Sequence, residues 1–187
     1  MMKTARLKIR PLAVADRASF IRGIQDRELC KLYGFPEKMN DGIAEQIFEH
    51  FLGLQNAFAL TCADSGSMIG FVLDLQTELP QETKAALPPK GRTFAYATFP
   101  PFQRQGYMLE ALRALIDEAF QNREIDYIHC GRFEYNEPSE MLLRKLGFSE
   151  FQRHRYRDKT IVDEILKRSG RKERTSTRWK TNADTIP

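Results

Sequence analysis

The sequence predicts a mixed α/β protein with one central sheet and helices packed against it. Strand-like and helix-like apolar patterns follow one another in the order β-α-α-β-β-β-α-β-α-β-β, with no internal repeat. Turn sequences at 64–67 and 158–159 each join two β-rich runs as hairpins. Between residues 94 and 115 a strand passes through a polar turn directly into a helix. Together these observations favour a single α/β domain.

The N-terminal part of the chain predicts one strand followed by two helices. Residues 5–11 alternate apolar and basic side chains, which is typical of a strand. Residues 12–30 predict one helix, and residues 31–40, which contain Gly and Pro, predict a loop. Asn40 suits the N-cap of a second helix at 43–52.

The middle of the chain is rich in strand signals. Residues 56–63 and 68–75 are apolar, β-rich runs joined by the first hairpin turn. Residues 77–92 carry three prolines and predict a long loop. A strand then begins at Phe94, and the helix after it shows an apolar repeat that starts at Met108.

The last predicted elements are a strand, a helix and a hairpin. Residues 126–135 predict the strand. Pro138 fits the first turn of the next helix, and Gly147 fits its C-terminal cap. Residues 148–156 and 160–166 predict the two strands of the second hairpin.

The composition is ordinary for a soluble globular domain, and 187 residues can bury a sizeable core. No apolar run is long enough to span a membrane, and the first residues lack the apolar region of a signal peptide. Cys30, Cys62 and Cys130 have neither metal-binding nor redox spacing. We therefore expect reduced thiols, no membrane partner and a cytoplasmic location.

The net charge of +4 belongs to the C-terminus. Residues 167–180 hold seven of the 29 Lys and Arg residues, whereas residues 1–166 hold 22 basic and 23 acidic residues. We expect one domain at 1–166 and a basic, partly disordered tail at 167–187. The tail fits an arm for RNA, the ribosome or an acidic partner. A solvated terminus is favoured, since Trp179 is the one aromatic residue of the run.

The polar turn at 103–108 predicts an anion site. A helix that opens from such a turn presents unpaired backbone N–H groups and the positive end of its dipole, which suits a phosphate or diphosphate. The turn consists of Gln103, Arg104, Gln105, Gly106, Tyr107 and Met108. A glycine that merely permits a tight turn would explain the same pattern, so a second signal is needed.

That signal is a helix that opens with Asn136 and Ser139 and ends at Gly147-Phe148. With the turn at 103–108, this stretch resembles the GNAT superfamily of acetyl-CoA-dependent acyltransferases over about residues 7–166. The chain looks most like the Rim-type branch, which acetylates the N-termini of ribosomal proteins. The resemblance implies a mostly antiparallel sheet that is split between the cofactor strand and the next strand.

The resemblance also implies how acetyl-CoA would bind. Its diphosphate is expected on the N–H groups of residues 103–108, and its acetyl and pantetheine groups on N–H groups near Thr98 and Phe99, which would stabilise an oxyanion. Asn136 resembles the residue that hydrogen-bonds the pantetheine arm. Arg104 stands where the family often has Gly, and Met108 where it has Gly or Ala.

Ser139 resembles the family residue beside the cofactor sulfur, and we expect it to protonate the leaving thiolate. Many relatives use a Tyr as the acid, but Leu143 stands at that position here. Asn136 and Ser139 could equally act as helix caps. Relatives often carry a Glu as general base on the cofactor strand, where this chain has Thr93. Asp74, Glu134 or an ordered water chain are the candidate bases.

The acceptor site is predicted through the resemblance. By resemblance, the helix–loop–helix after the first strand forms one of its walls, with Tyr33 and Phe35 as candidates for substrate binding. An ordinary core role is an equal alternative for these two and is expected for Phe48 and Phe51. The loop at 77–92 is expected to overhang the site.

The leading hypothesis is an N-acetyltransferase that uses acetyl-CoA and acetylates a protein N-terminus or a small primary amine. A non-catalytic CoA-binding module and an RNA- or ribosome-associated factor remain alternatives, and both monomer and homodimer fit. His129 is expected to be a core residue with its hydrogen bonds satisfied. The three histidines have no metal-ligand spacing, so we expect no metal.

Overall fold

An eight-stranded sheet organises the residues that the computed structural model describes, which are 1–36, 38–77, 79–121 and 125–168. The strands are β1 (Met2–Lys3), β2 (Leu7–Pro11), β3 (Ala57–Cys62), β4 (Met68–Gln76), β5 (Gly91–Thr98), β6 (Tyr127–Phe133), β7 (Ser149–Tyr156) and β8 (Lys159–Lys167). The helices are α1 (Arg17–Ile24), α2 (Arg27–Tyr33), α3 (Asp41–Leu52), α4 (Gln81–Ala85), α5 (Tyr107–Gln121) and α6 (Glu137–Leu146). In this part of the chain no helix is long and apolar enough to cross a membrane.

The sheet opens at one place. Its strands lie in the order β1-β2-β3-β4-β5-β6-β8-β7, and neighbours are antiparallel except for β5 and β6. The parallel pairing of β5 and β6 covers residues 91–93 and 127–129 and ends at Thr93 and His129. Beyond that pair the strands separate into a split. The predicted mixed, mostly antiparallel sheet is confirmed.

Different helices cover the two faces of the sheet. On one face, α1 and α3 pack on an aromatic cluster that includes the fully buried Phe20 and Phe48. On the other, α5 and α6 pack on an aliphatic cluster that includes Leu112 and Leu143. We call them the α1–α3 face and the α5–α6 face. Because successive residues of a strand point to opposite faces, each site residue on a strand belongs to one of them.

The predicted single helix at 12–30 is wrong, because two local hydrogen-bond networks interrupt it. Arg10 donates two hydrogen bonds of 2.7 Å to the Asp16 carboxylate, which also accepts the Ala13 N–H and closes a 3-10 turn before α1. Asp26 then accepts the Leu29 N–H at 2.8 Å and caps a new helix, α2. The chain therefore has a turn, α1 and α2 where one helix was expected.

Other boundaries differ more modestly. Helix α2 extends to Tyr33, which was expected in a loop, and α4 lies within the predicted loop at 77–92. Strand β5 begins at Gly91, before the predicted start. The expected caps do form, since Asn40 accepts the Ile43 N–H at 2.9 Å and Gly147 ends α6 with a φ of 91°. Most of the predicted tail, residues 169–187, lies outside the described residues.

Candidate active site

The turn between β5 and α5 leaves its backbone donors free. Arg104 and Gly106 have positive φ angles of 59° and 79°, with Gln105 between them at negative φ. In the described part of the chain the N–H groups of residues 104–108 have no hydrogen-bond acceptor. The expected donor at Gln103 is wrong, because its N–H donates to the Pro100 carbonyl at 3.2 Å. Alternating backbone handedness turns successive N–H groups toward one side, which is the arrangement of an anion nest. The turn therefore offers main-chain donors at the positive end of α5.

Side chains within the turn hold it against the strand. Gln103 Nε2 donates to the Thr98 carbonyl at 3.0 Å, and Gln105 Nε2 donates to the Pro101 carbonyl at 3.0 Å. Both glutamines thus have structural partners. Arg104 adopts a left-handed conformation, so the backbone angles at this position are ones that favour glycine. The Arg104 side chain lies exposed beside the free N–H groups.

The N-terminal hairpin supports this turn through residues that the sequence did not single out. Arg6 donates to the Gln105 carbonyl at 3.0 Å and to the Glu110 carboxylate at 2.7 Å, and its guanidinium lies 4.5 Å from the centre of the Tyr107 ring. The Thr4 hydroxyl also donates to Glu110, at 2.5 Å. Burial opposes ionisation of Glu110, but the hydrogen bonds from Thr4 and Arg6 outweigh it and hold its pKa below the ordinary value.

Of the two donors expected on the strand edge in the split, the Thr98 N–H faces the split and the Phe99 N–H does not. The Phe99 N–H donates to the Ile69 carbonyl on the β4 side at 2.8 Å, so the expected free donor at Phe99 is wrong. On the opposite edge, the carbonyl of Lys90, just before β5, accepts the N–H groups of Asp126 and Tyr127 at the start of β6. Because backbone groups alternate between the two edges of a strand, the N–H groups of Tyr96 and Thr98 face the split.

Ser139 lies beside a second hydroxyl, which belongs to a residue of β5. Its Oγ lies 2.8 Å from the Tyr96 hydroxyl, and either atom can be the donor. Tyr96 lies opposite Val72, whose side chain belongs to the α5–α6 cluster, so the phenol points toward α6. Leu143 of α6 is buried and has no hydroxyl, and the phenol beside Ser139 belongs to Tyr96 of β5. The strand pattern alone gave Tyr96 no such role.

Buried groups around Tyr96 keep its phenol neutral. Burial raises the pKa of Tyr96 well above its usual range, and the nearby Cys130 adds to that effect. Arg132 and Glu164 lie beside it as a buried ion pair with Nε and Oε1 2.6 Å apart. The Tyr96 hydroxyl is therefore a permanent hydrogen-bond donor or acceptor at physiological pH.

Asn136 acts as the cap of α6. Its Oδ1 accepts the Ser139 N–H at 3.1 Å, and its Nδ2 donates to the Leu32 carbonyl at 3.3 Å. The cap thus fixes Ser139 in the first turn and ties α6 to α2. Ser139 itself does not cap the helix, because its hydroxyl bonds to Tyr96 instead.

Neither carboxylate proposed as base stands free in the split. Asp74 Oδ1 accepts from Arg92 Nε at 2.6 Å, and its register partner Phe94 places it on the α5–α6 face. Burial raises the pKa of Asp74, and the ion pair with Arg92 only partly offsets this. Glu134 is exposed just beyond β6 and pairs with Arg153. Each side chain is therefore engaged by an arginine.

His129 has a partner on each ring nitrogen, as expected for a core histidine. Nδ1 lies 3.1 Å from Thr93 Oγ1, and Nε2 lies 2.9 Å from Asp163 Oδ1. Thr93 is the register partner of Leu75, which packs against the α1–α3 cluster, so this network lies on the α1–α3 face. No group of three potential metal ligands occurs among the residues described.

The aromatic residues proposed for substrate binding lie at the rim of the core. The Tyr33 and Phe35 rings are 4.3 Å apart, and Tyr33 also packs edge-on against Phe71 at 5.4 Å. Both are only partly buried, whereas Phe48 and Phe51 are core residues as predicted. Burial raises the pKa of the Tyr33 phenol well above its usual range. Tyr33 and Phe35 form a wall with one side on the core and one side partly open.

Comparisons with known proteins agree with this geometry. The family model described as "Acetyltransferase (GNAT) domain" matches residues 6–149, and the chain therefore belongs to the GNAT acetyltransferase family. Members of this family are acyltransferases that use acetyl-CoA. No curated protein matches the chain.

Solved structures share its fold at low sequence identity. A GNAT-family acetyltransferase from Bacillus anthracis aligns with a TM-score of 0.73 at 16% identity, covering 89% of this chain and 98% of that chain. Spermidine N-acetyltransferase from Vibrio cholerae, in complex with CoA and spermine, gives 0.68 at 15% identity, with coverages of 89% and 98%. A proposed ribosomal-protein-serine acetyltransferase from Vibrio cholerae gives 0.68 at 20% identity, with coverages of 88% and 95%.

Proposed function

We propose that the chain is an N-acetyltransferase that moves the acetyl group of acetyl-CoA onto a primary amine. The observation that carries the proposal is the alignment of three features along one split: a turn with free N–H groups, a strand edge with free N–H groups and a hydroxyl pair. Each matches one part of acetyl-CoA, namely the diphosphate, the acyl-pantetheine arm and the sulfur. The residues present therefore fit this co-substrate.

In this proposal the N–H groups of residues 104–108 bind the diphosphate, and Arg104 adds a positive charge beside them. The N–H groups of Tyr96 and Thr98 face the split and would donate to the acyl oxygen as negative charge develops on it. Asn136 holds the start of α6 so that Ser139 stays in place. Bound acetyl-CoA would supply an activated acyl carbon with a thiolate as its leaving group.

The hydroxyl pair would supply the acid. Because burial keeps the Tyr96 phenol protonated, it can donate to Ser139 Oγ, which leaves the serine proton free for the sulfur. Ser139 is then the residue that contacts the leaving group, and Tyr96 positions it. Asp74 and Glu134 remain the carboxylate candidates for the base, although each is paired with an arginine.

The acceptor is proposed as a protein N-terminus or a small amine. Two proteins of the same fold have names that point to these classes, spermidine N-acetyltransferase and the proposed ribosomal-protein-serine acetyltransferase. The second name is consistent with Rim-type activity for this chain. Tyr33 and Phe35, on the partly open aromatic wall, are proposed to contact the acceptor.

The test combines binding with turnover. Calorimetry with CoA and acetyl-CoA measures affinity, and release of free thiol measures transfer to spermidine, an aminoglycoside and peptides that begin with Ser or Ala. We expect thiol release with at least one of them, and a fall of about 10- to 100-fold in kcat for Ser139→Ala at unchanged CoA affinity. Ser65→Ala, in an exposed hairpin turn, is the matched control.

Two results would contradict the proposal in different ways. If calorimetry detects no heat of binding with CoA, the proposed cofactor site itself is contradicted. Binding of CoA without thiol release to any amine would instead identify a CoA-binding module that has kept the fold.

A further inference from the structure

Two aromatic rings and a lysine form a small surface beside the open part of the split. The rings of Phe133 and Tyr135 are stacked, with their centres 5.3 Å apart and their planes 9° from parallel. Lys159 of the neighbouring strand β8 holds its Nζ 4.9 Å from the centre of the Phe133 ring and 5.9 Å from that of Tyr135. These distances are typical of cation–π contacts. We call these three residues the aromatic platform.

The aromatic platform lies on the α1–α3 face, level with the proposed acyl site. The last register pair of the parallel strands is Thr93 with His129. Four residues further along the two strands are Ala97 and Phe133, so the Phe133 ring lies across the split from the strand edge at 96–98. Ala97 packs in the aromatic cluster of the α1–α3 face, and Phe133 faces the same way because it alternates in step with His129.

The aromatic platform continues the aromatic wall that is proposed to contact the acceptor. Gly34, which separates the two rings of that wall, lies so close to the platform that an added Cβ atom would be 3.0 Å from the Phe133 ring. The Tyr135 hydroxyl donates to the Lys31 carbonyl of α2 at 3.1 Å. Wall and platform therefore form one surface, and an acceptor that contacts the wall also reaches the platform.

The positive charge of the aromatic platform is not neutralised within the described chain. Lys159 is partly buried and has no ion-pair partner among the described residues. Glu134, which follows Phe133, pairs with Arg153. Asp163, further along β8, accepts from Gln152 at 2.8 Å. The ring faces attract the ammonium group but supply no acceptor oxygen, so its N–H donors remain available to an anion.

We propose that Lys159 binds a carboxylate of the acceptor and thereby sets acceptor specificity, so that the preferred acceptor is a primary amine that also carries a carboxylate. The proposal rests on the N-acetyltransferase function and names the class of its acceptor. An ammonium group without an anionic partner stabilises a bound carboxylate through a charge-assisted hydrogen bond. It repels a second ammonium group, so polyamines and aminoglycosides should be poor acceptors for this chain.

The position of the aromatic platform is compatible with a single reacting carbon. Tyr96 and Ser139 approach the split from the α5–α6 face, where the sulfur is proposed to leave. The platform lies on the opposite face at the same level of β5, since Ala97 follows Tyr96 directly. An amine whose carboxylate is held by Lys159 therefore reaches the acyl carbon from the face opposite the Tyr96–Ser139 pair.

Two variants of the intact chain test the assignment. Lys159→Met keeps a long side chain on the rings without the charge, and Lys159→Arg keeps the charge. Lys145→Met, at an exposed lysine near the end of α6, is the matched control for the loss of one positive charge. The acceptors are peptides with amidated C-termini that differ only in their second residue, Ser-Glu, Ser-Gln and Ser-Lys, together with β-alanine and β-alaninamide.

We expect Lys159→Met to lower kcat/KM about 10-fold for the acceptors that carry a carboxylate, mainly through KM. The value should hardly change for Ser-Gln and β-alaninamide, and it should rise for Ser-Lys. Lys159→Arg and Lys145→Met should stay near wild type, with CoA affinity unchanged in every variant. Because each acceptor is compared between wild type and variant, differences in basicity among the amines cancel.

Equilibrium binding gives a readout that does not depend on turnover. Calorimetry with the CoA complex should show that Ser-Glu binds about 10-fold more tightly than Ser-Gln in the wild type and equally in Lys159→Met. The difference should shrink at high salt, because Lys159 is only partly buried. The source of the carboxylate follows from the size of the effect: a larger effect for β-alanine supports a small amino acid, and a larger effect for Ser-Glu supports a peptide N-terminus.

Three results would overturn the proposal. An equal loss with every acceptor in Lys159→Met would give Lys159 a structural role only. A wild-type preference for Ser-Lys or spermidine over Ser-Glu and β-alanine would show that the surface selects cations. An acetyl group on Lys159 in mass spectra of the wild type would make this residue an acceptor itself. Absence of turnover with every amine would contradict the proposed function instead, so the two failures are distinguishable.

Discussion

The two ends of the split hold their chemistry in different ways. At the end proposed to bind the diphosphate, residues 104–108, the free donors are main-chain N–H groups whose direction depends on positive φ angles at Arg104 and Gly106. We call it the diphosphate end. At the end proposed for acetyl transfer, which we call the transfer end, the side-chain hydroxyls of Tyr96 and Ser139 form a hydrogen bond, with the buried Arg132–Glu164 pair beside them. CoA affinity, which depends on the first end, should therefore be sensitive to changes in backbone conformation. Stability and kcat, which depend on the second end, should be sensitive to the loss of single polar groups.

The largest effect is expected for Arg132→Met, which tests the transfer end. Arg132 and Glu164 have side chains 5% and 6% exposed and lie 2.6 Å apart, so removing the guanidinium leaves a buried carboxylate without its partner. We expect the free energy of unfolding to fall by about 3–5 kcal/mol, measured by urea denaturation.

Two further variants show whether this cost comes from the unpaired charge. The double variant Arg132→Met with Glu164→Leu should recover most of the loss, because no buried charge remains. Arg153→Met removes exposed pairs with Glu150 and Glu134, which solvent screens, and should lower the free energy of unfolding far less than Arg132→Met does. Equal losses at Arg132 and Arg153 would refute the distinction between buried and exposed pairs.

Gly106→Val tests the diphosphate end. Gly106 has a φ of 79°, which a β-branched residue adopts only at a cost of about 1–3 kcal/mol, so the turn should change shape and misdirect its N–H groups. We expect CoA affinity measured by calorimetry to fall about 10- to 100-fold.

Gly66→Val is the matched control for this change. Gly66 has a φ of 71°, and a Cβ atom there would meet nothing within 4 Å, so the backbone strain is similar but lies in a distant hairpin turn. It should lower stability without changing CoA affinity. Undiminished affinity in Gly106→Val would mean that the turn does not hold the diphosphate.

The difference between the two ends also explains how much the sequence could predict. The turn and the caps of α3 and α6 depend on residues a few positions apart, and local patterns predicted them. Tyr96 and Ser139 are 43 positions apart, and Arg6 and Glu110 are 104 apart. Such pairs form only once strand register is established, which no local pattern encodes. The same holds for Phe99, whose N–H orientation follows from its pairing with β4.

Tyr96→Phe removes one hydroxyl from the transfer end and should affect rate more than fold. The ring remains to fill its place, while Ser139 loses its partner and is no longer held toward the sulfur. We expect a fall of about 10-fold in kcat with CoA affinity unchanged. Tyr156→Phe, on an exposed ring of β7, is the control. A loss of CoA affinity equal to the loss in kcat would assign Tyr96 to binding instead.

The smallest effect is expected for Arg104→Gly, which separates the two contributions of that residue. Arg104 is strained at its left-handed φ of 59°, which glycine adopts without strain. The free energy of unfolding should therefore rise by up to about 1 kcal/mol in Arg104→Gly. Arg157→Gly, at a φ of 57° in the β7–β8 turn, should give the same gain and serves as control. The lost charge should weaken CoA binding a few-fold at low salt and hardly at high salt, because only the side chain's attraction for phosphate is screened. A much larger loss that persists at high salt would show that Arg104 shapes the turn itself, and the diphosphate end would then depend on side chains as the transfer end does.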